Sequence, residues 1–226
     1  MKQFQIKLFK GHPIIKDGDN RILIDTGAPS TIHSSDSLTL CSANYSCSTN
    51  YMGLTVTKIS NMLGTEITTL LGADILSDYK ILFDYKNQVI EFNEQEITFE
   101  GAETSISNFM GIPIIELVID NLELKFFLDT GAKLSYLSDG ITSSYEGIGT
   151  DEDFYPGVGK FETECFEIET RFGDNNFIVK YGNLPILLQM TLMLSGTDGI
   201  IGFDFFNNFK VLLDLENNNL KYIKTH

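Results

Sequence analysis

Apolar and polar residues alternate along the start of this chain, and a period of two predicts β-strands. The alternation runs through residues 1–15 and predicts one or two strands there. Residues 16–20 contain Asp-Gly and Asn, which tolerate the positive φ of a hairpin turn. Residues 21–24 are therefore expected to form the returning strand, which ends at Asp25.

The middle of the first half combines β-branched runs with one short stretch of helical periodicity. Residues 54–57 and 66–71 are rich in Thr, Val, Ile and Leu, which is typical of strands. Residues 73–79 carry apolar positions one turn apart and predict a short helix. Residues 81–92 then predict a β-hairpin around a polar turn.

The second half of the chain repeats this order of elements. It predicts a strand, a turn and a returning strand, then a short helix after a glycine, and finally a hairpin. These elements fall at residues 112–119, Asp120-Asn121, 123–128, 203–209 and 211–223. A sequence with two such copies predicts two structurally related lobes.

One tripeptide occurs at the same place in both copies. Asp25-Thr26-Gly27 and Asp129-Thr130-Gly131 are 104 residues apart, and each follows three apolar residues and precedes an alanine. A carboxylate at the end of a buried strand costs free energy unless something stabilises it. Two of them in a duplicated chain therefore suggest a pair that meets in space.

The spacing between the copies changes once. The offset is still 104 at Tyr51 and Tyr155, and it is 130 at Gly72 and Gly202, so the second copy holds 26 additional residues. These residues lie after Val158. They include a strand-like pattern over residues 160–169 and 172–181, which predicts a long β-hairpin.

Composition excludes several classes of function. The net charge of −15 disfavours binding to nucleic acid, because the phosphates would repel the protein. No segment approaches the ~20 apolar residues of a membrane helix, and no signal-peptide pattern is seen, so we expect a cytoplasmic protein without membrane contact. Cys41, Cys47 and Cys165 are expected to be reduced thiols, with a Cys41–Cys47 pair left open for an oxidising compartment. The histidines lack metal-ligand spacing, so no metal is expected.

The complete set of motifs resembles the pepsin-like and retropepsin-like aspartic proteases over nearly the whole chain. Residues 70–74 and 198–202 are similar to the hydrophobic-hydrophobic-glycine element of that family. The short lobes look like a retropepsin, and the single chain with two aspartates looks like pepsin. The resemblance implies a mostly β, bilobal acid-protease fold with two pseudo-twofold-related β-barrel lobes and one short helix in each. The lobes are expected at residues 1–103 and 104–226.

Two carboxylates held close together cannot both ionise easily, so they share one proton. The ionised carboxylate would activate a water as general base, and the protonated one would donate a hydrogen bond to the scissile carbonyl. Asp25 and Asp129 are the predicted catalytic pair. Because they titrate jointly, neither role is assigned permanently to either residue.

The resemblance also implies supporting roles for residues around the pair. The threonines would cross-link the two loops through hydroxyl-to-backbone hydrogen bonds. The loop glycines would allow the turn and the close approach of a substrate strand, and two later glycines would lie beneath the loops. These residues are Thr26, Thr130, Gly27, Gly131, Gly72 and Gly202.

The remaining candidates concern the substrate cleft. Ala28 and Ala132 stand where pepsins commonly carry a hydroxyl, and the missing hydrogen bond implies higher pKa values for the aspartates and activity at weakly acidic to near-neutral pH. Matched positions before and at a glycine could line the cleft or pack in the core: Tyr51, Gly53, Tyr155 and Gly157. The inserted hairpin is expected to be a flap from the second lobe, with a surface hairpin packed elsewhere as the alternative.

The predicted function is therefore an aspartic endopeptidase that acts as a monomer without metal or cofactor. Its partner would be a peptide or protein substrate bound as an extended strand. Two alternatives stay open. One is a non-enzymatic peptide-binding protein that retains the acid-protease fold, and the other is a processing protease restricted to one cellular target.

Overall fold

The structure is a computed structural model that describes residues 1–155 and 159–225. Most of these residues lie in strands, as the alternating pattern predicts. Up to residue 101 the elements are β1 (Lys2–Gln5), β2 (Lys7–Phe9), β3 (His12–Asp17), β4 (Asn20–Ile24), β5 (Ile32–His33), β6 (Ser37–Leu40), β7 (Ala43–Ser46), α1 (Val56–Leu63), β8 (Thr69–Leu71), α2 (Ala73–Leu76), β9 (Lys80–Asp84) and β10 (Val89–Asn93).

From residue 102 onward the order of elements is similar, with longer strands in its middle part. The elements are β11 (Ala102–Ser105), β12 (Ser107–Phe109), β13 (Ile112–Ile119), β14 (Leu122–Leu128), β15 (Ser135–Leu137), α3 (Asp139–Thr142), β16 (Gly149–Tyr155), β17 (Gly159–Phe172), β18 (Asn175–Asn183), α4 (Ile186–Ser195), β19 (Gly199–Ile201), α5 (Phe203–Asn208), β20 (Phe209–Asp214) and β21 (Asn219–Lys224).

The first lobe is built on a five-stranded sheet in the order β2-β3-β4-β8-β5. Its central strands β4 and β8 are parallel, with Ile22 opposite Thr69 and Ile24 opposite Leu71. The last three residues of β4 are apolar and buried. Such a continuous apolar run is typical of a strand that is covered on both faces, and it brings Asp25 to the middle of the lobe.

The second lobe has an eight-stranded sheet in the order β12-β13-β14-β19-β15-β18-β17-β16. Here β14 and β19 form the matching parallel pair, with Leu128 opposite Ile201. An additional pairing of Val118 with Arg171 connects β13 to β17 and closes part of the sheet on itself. The second lobe thus has the same central pair of strands as the first within a larger sheet.

A third sheet joins the two halves of the chain. Its order is β1-β10-β9-β20-β21-β11, so each half supplies three of its strands. Strands β9 and β20 pair in the middle, and Phe83 and Phe206 contact each other in the core beneath them at 5.1 Å between ring centroids. Strand β11 runs across the predicted boundary between residues 103 and 104, and that boundary stays a prediction.

The helices differ from the sequence-based expectation. Residues 54–57 do not form a strand, because Thr55 caps helix α1 by accepting a hydrogen bond from the backbone N–H of Lys58. The buried residues Val56, Ile59 and Leu63 follow a helical spacing, and Gly64 ends the helix in the left-handed conformation at φ 82°. Each half therefore holds more than the one short helix that was predicted.

The inserted segment forms the predicted hairpin, made by β17 and β18 with Phe172 opposite Asn175. Its turn does not lie over the aspartates, because a Cβ on Gly173 would be 2.0 Å from the hydroxyl oxygen of Tyr222 in β21. A second hairpin joins β16 to β17, with Tyr155 opposite Gly159. The prediction that the turn at Gly173 forms the flap was therefore wrong, and this turn packs elsewhere, as the stated alternative expected.

Two further observations concern the described residues as a whole. None of their helices has the length and apolar character needed to cross a bilayer. Cys41, Cys47 and Cys165 are all free thiols.

Candidate active site

Two loops meet where the parallel strand pairs of the lobes end. Asp25 follows β4, and its backbone N–H donates to the carbonyl of Leu71 in β8 at 3.0 Å. Asp129 follows β14, and its N–H donates to the carbonyl of Ile201 in β19 at 2.9 Å. The same local geometry thus fixes the start of both loops.

The threonines cross-link the loops in the way that the resemblance implied. The N–H of Thr26 donates to the hydroxyl of Thr130 at 3.0 Å, and the N–H of Thr130 donates to the hydroxyl of Thr26 at 2.9 Å. Each hydroxyl in turn donates to the opposite strand, that of Thr26 to Leu128 at 2.6 Å and that of Thr130 to Ile24 at 2.8 Å. Both threonines are buried, so these hydrogen bonds tie the lobes together without competition from water.

The two carboxyl groups face each other across this cross-link. Each is held by the N–H two residues later, Gly27 to Asp25 at 3.0 Å and Gly131 to Asp129 at 2.7 Å. A Cβ on Gly27 would be 2.3 Å from the carboxyl carbon of Asp129, and a Cβ on Gly131 would be 2.6 Å from that of Asp25. Each loop glycine therefore leaves the space that the opposite carboxyl group occupies.

The electrostatic environment of the pair favours retention of a proton. Both aspartates keep part of their surface open to solvent, while desolvation of the carboxyl groups raises the pKa of each. The pKa of Asp25 is raised further by the charge of Asp129 and by a hydrogen bond between the two carboxyl groups. Backbone N–H groups of the loops act in the opposite direction and stabilise the ionised form.

Gly72 and Gly202 lie directly beneath the loops. A Cβ on Gly72 would be 2.8 Å from the carbonyl oxygen of Ala28, and one on Gly202 would be 2.2 Å from that of Ala132. The residues after these glycines hold the same carbonyls, because their N–H groups donate to Ala28 at 2.8 Å and to Ala132 at 2.9 Å. The backbone carbonyls of Ala28 and Ala132 thus contact the segments beneath the loops, which begin at Gly72 and Gly202.

Two residues that support the loops were not predicted from the sequence. The hydroxyl of Thr31 accepts from the N–H of Gly72 at 3.0 Å, and the hydroxyl of Ser135 accepts from the N–H of Gly202 at 3.1 Å. These residues are also 104 apart, so the repeat itself carried the signal. The hydroxyl of Thr31 additionally donates to Asp74 at 2.7 Å.

The matched tyrosines have different surroundings. Burial raises the pKa of Tyr155 to about 12, and the charges of Asp129 and Asp25 add to this effect, so its hydroxyl lies within electrostatic range of the pair. Tyr51 packs with Ala28 against the core of the first lobe and belongs to a short turn with Gly53, whose φ is 82°. Gly157 lies outside the described residues.

The hairpin of β16 and β17 reaches from the second lobe to the first. Phe154, near its end, packs with Tyr51 and Ala28 against the apolar cluster of the first lobe. Its ring also lies 5.9 Å from that of His12, measured between centroids. This hairpin therefore spans the space between the lobes beside the two aspartates.

No group of three or more His, Cys, Asp or Glu side chains in residues 1–155 and 159–225 could hold a metal ion. The arrangement brings two carboxyl groups together. A shared proton between them would allow one group to accept a proton while the other donates one.

Two solved structures are similar to this chain, and the one that matches over its full length agrees with this architecture. The crystal structure of an aspartic proteinase from Irpex lacteus matches at 13% identity, over 99% of this chain and 97% of that chain, with a TM-score of 0.53. A retropepsin-like aspartic protease from Rickettsia conorii matches at 16% identity, over 57% of this chain and 95% of that chain, with a TM-score of 0.39. No protein-family model and no curated protein matches the chain. The chain therefore has the bilobal, mostly β acid-protease fold.

Proposed function

We propose that this protein is an aspartic endopeptidase in which Asp25 and Asp129 hydrolyse peptide bonds. The observation that carries the proposal is the opposed pair of carboxyl groups, each in the space left by the other loop's glycine. A protein that only bound peptides would gain nothing from holding two like charges together against desolvation. The threonine cross-link, which fixes the pair, supports the same conclusion.

The proposed reaction uses one proton shared by the pair. The ionised carboxylate removes a proton from a water, whose oxygen attacks the scissile carbonyl, while the protonated carboxyl donates to the carbonyl oxygen. The tetrahedral intermediate then breaks its C–N bond, and the leaving nitrogen receives a proton from the pair. The products are a carboxylic acid and an amine, and the pair returns to its state with one proton.

The substrate is expected to be a peptide in extended conformation, bound between the lobes of a monomer. We infer that the hairpin of β16 and β17 covers it, since Phe154 contacts the first lobe and Tyr155 lies near the aspartates. Such a cover would exclude water and align the peptide. The first lobe offers only the short turn at Tyr51 in the corresponding position.

Hydrolysis of a diverse peptide library tests the proposal. Asp25→Asn and Asp129→Asn should each lower the rate of cleavage by at least about 10²-fold, because each removes a group that must gain or lose a proton. Asp19→Asn is the matched control, since Asp19 is an exposed turn residue and its replacement should leave the rate unchanged. Peptide binding without cleavage by any form would instead support the non-enzymatic alternative.

A further inference from the structure

His12 is a buried imidazole that distinguishes the two copies of the repeat. Residues 11–15 and 111–115 share a Gly-x-Pro-Ile-Ile pattern, with His12 in the first copy and Ile112 in the second. His12 is only 3% exposed, and its ring interacts with the backbone of Gly131 in the Asp129 loop, which acts to raise the pKa of the imidazole. The loop that follows Asp25 receives no such contact from Ile112, which has no donor.

The second ring nitrogen of His12 has no hydrogen-bond partner among the described residues. Nδ1 is buried and makes no hydrogen bond with the described residues, so we assign the interaction with Gly131 to the N–H of Nε2. Burial lowers the pKa of His12 to about 4, and the charges of Lys133 and Lys10 act in the same direction. The ring is therefore neutral near pH 6, and Nδ1 is a hydrogen-bond acceptor.

A small cavity adjoins this imidazole between the two lobes. Its volume is about 80 Å³, and its wall includes His12, Met62, Lys133, Glu152, Phe154 and Lys160. A cavity of this volume holds several water molecules, at about 10–15 Å³ of probe-occupied space for each, so it can receive a short side chain. Because the wall combines the Asp129 loop with β16 and β17, the cavity opens beside the path proposed for the substrate.

The charges around the cavity favour a neutral polar group. The wall carries Lys10, Lys133 and Lys160 as well as Glu152 and Asp153, and Lys133 forms an ion pair with Asp151 at 3.2 Å, so the two signs of charge nearly balance. A carboxylate would meet these acidic groups and the acceptor Nδ1, while an ammonium group would meet the lysines. An apolar side chain would leave Nδ1 buried and unpaired, which is costly.

A carboxamide is neutral and can also form a hydrogen bond with Nδ1 of His12. Its NH₂ can donate to Nδ1 of His12, and its oxygen can accept from a lysine ammonium on the same wall. We propose that His12 is a specificity-determining residue and that this cavity receives a glutamine or asparagine side chain of the peptide substrate. This inference rests on the proposed function, because it assigns part of the substrate to that site.

Cleavage of position-scanning peptides tests the preference. One position of the peptide should favour Gln or Asn over Leu and Glu by about three- to tenfold in kcat/KM, the effect of one neutral hydrogen bond. His12→Ile, which copies the residue of the second lobe, should abolish the preference while peptides with Leu are still cleaved. Ile112→Val is the matched control on the other side and should keep the preference. Cleavage without any amide preference would overturn the inference and leave the protease intact.

A binding measurement separates this inference from catalysis. The chain has 3 histidines, so ¹⁵N-histidine NMR can follow Nδ1 of His12, assigned by its loss in His12→Ile. In the Asp25→Asn chain, a glutamine peptide should shift that resonance and a matched leucine peptide should not. A shift with no cleavage by the wild type would support the cavity and refute the protease. An unmoved resonance would overturn the inference.

Discussion

At the residue scale, the site depends on side chains whose chemistry has no close substitute. Thr26 and Thr130 each use one hydroxyl both to donate and to accept, which valine cannot do despite its similar shape. Loss of one hydroxyl would leave a buried N–H and a buried carbonyl unpaired, at a cost of about 1–3 kcal/mol for each. Gly27 and Gly131 are equally restricted, because any side chain would occupy the place of a carboxyl group.

The raised pKa values of the pair predict the pH dependence of hydrolysis. An acid with a raised pKa keeps its proton to higher pH, so the window in which the pair holds one proton moves upward. We expect kcat/KM to peak at weakly acidic to near-neutral pH. Ala28→Ser should add a donor to the ionised carboxylate and move the acidic limb to lower pH. A wild-type profile that peaks in strong acid would contradict this expectation.

At the scale of elements, the two ends of the inserted segment lie in different surroundings. The turn between β17 and β18 packs against Tyr222, whose ring lies 4.3 Å from that of Phe172 between centroids. The other end of β17 pairs with β16 beside the aspartates. Strand β17 thus runs from Tyr222, in the sheet that joins the lobes, to the space between the lobes. We expect substitutions at its two ends to have different effects.

Gly173→Ala should lower stability and leave catalysis unaltered. Gly173 has φ 54°, and a methyl group there would meet the hydroxyl of the buried Tyr222. Gly18→Ala is the matched control, because Gly18 has φ 60° with nothing within 4 Å. Urea unfolding should show a loss of about 1–2 kcal/mol for Gly18→Ala from backbone strain alone. Gly173→Ala should lose about 1–3 kcal/mol more from overpacking. Equal losses would show that the contact with Tyr222 is unimportant.

At the scale of the whole molecule, the two lobes share their central geometry and differ in what surrounds it. The sheet with three strands from each half holds the lobes at a fixed relation, which the opposed carboxyl groups require. Around this symmetric centre, and within the part of the chain that the structure describes, the long hairpin that crosses the gap comes from the second lobe. The proposed cover of the substrate is therefore one-sided.

Tyr51 and Tyr155 provide a matched test of this asymmetry. If the second lobe covers the substrate, Tyr155→Ala should lower kcat/KM by about 10²-fold through poorer alignment of the peptide. Tyr51→Ala should lower it much less, although both residues pack in apolar clusters. Circular dichroism would confirm that both variants are folded. An equal or larger effect at Tyr51 would assign the cover to the first lobe or to both.

The sequence alone determined the duplication, the mostly β fold and the two Asp-Thr-Gly loops, because these depend on local patterns and constant offsets. The sequence also indicates that Thr31 and Ser135 are matched residues, because they are 104 positions apart, as the two aspartates are. Helix α1 was missed because its β-branched start resembles a strand until Thr55 and Gly64 are recognised as caps.

Only the tertiary structure decided that the turn at Gly173 packs against Tyr222, that Tyr155 lies near the aspartates, and that His12 lies against the Asp129 loop. Both depend on contacts between residues far apart in the chain, such as Gly173 with Tyr222 and His12 with Gly131. Periodicity reports which face of a strand is buried, and it carries no information on the neighbour that buries it.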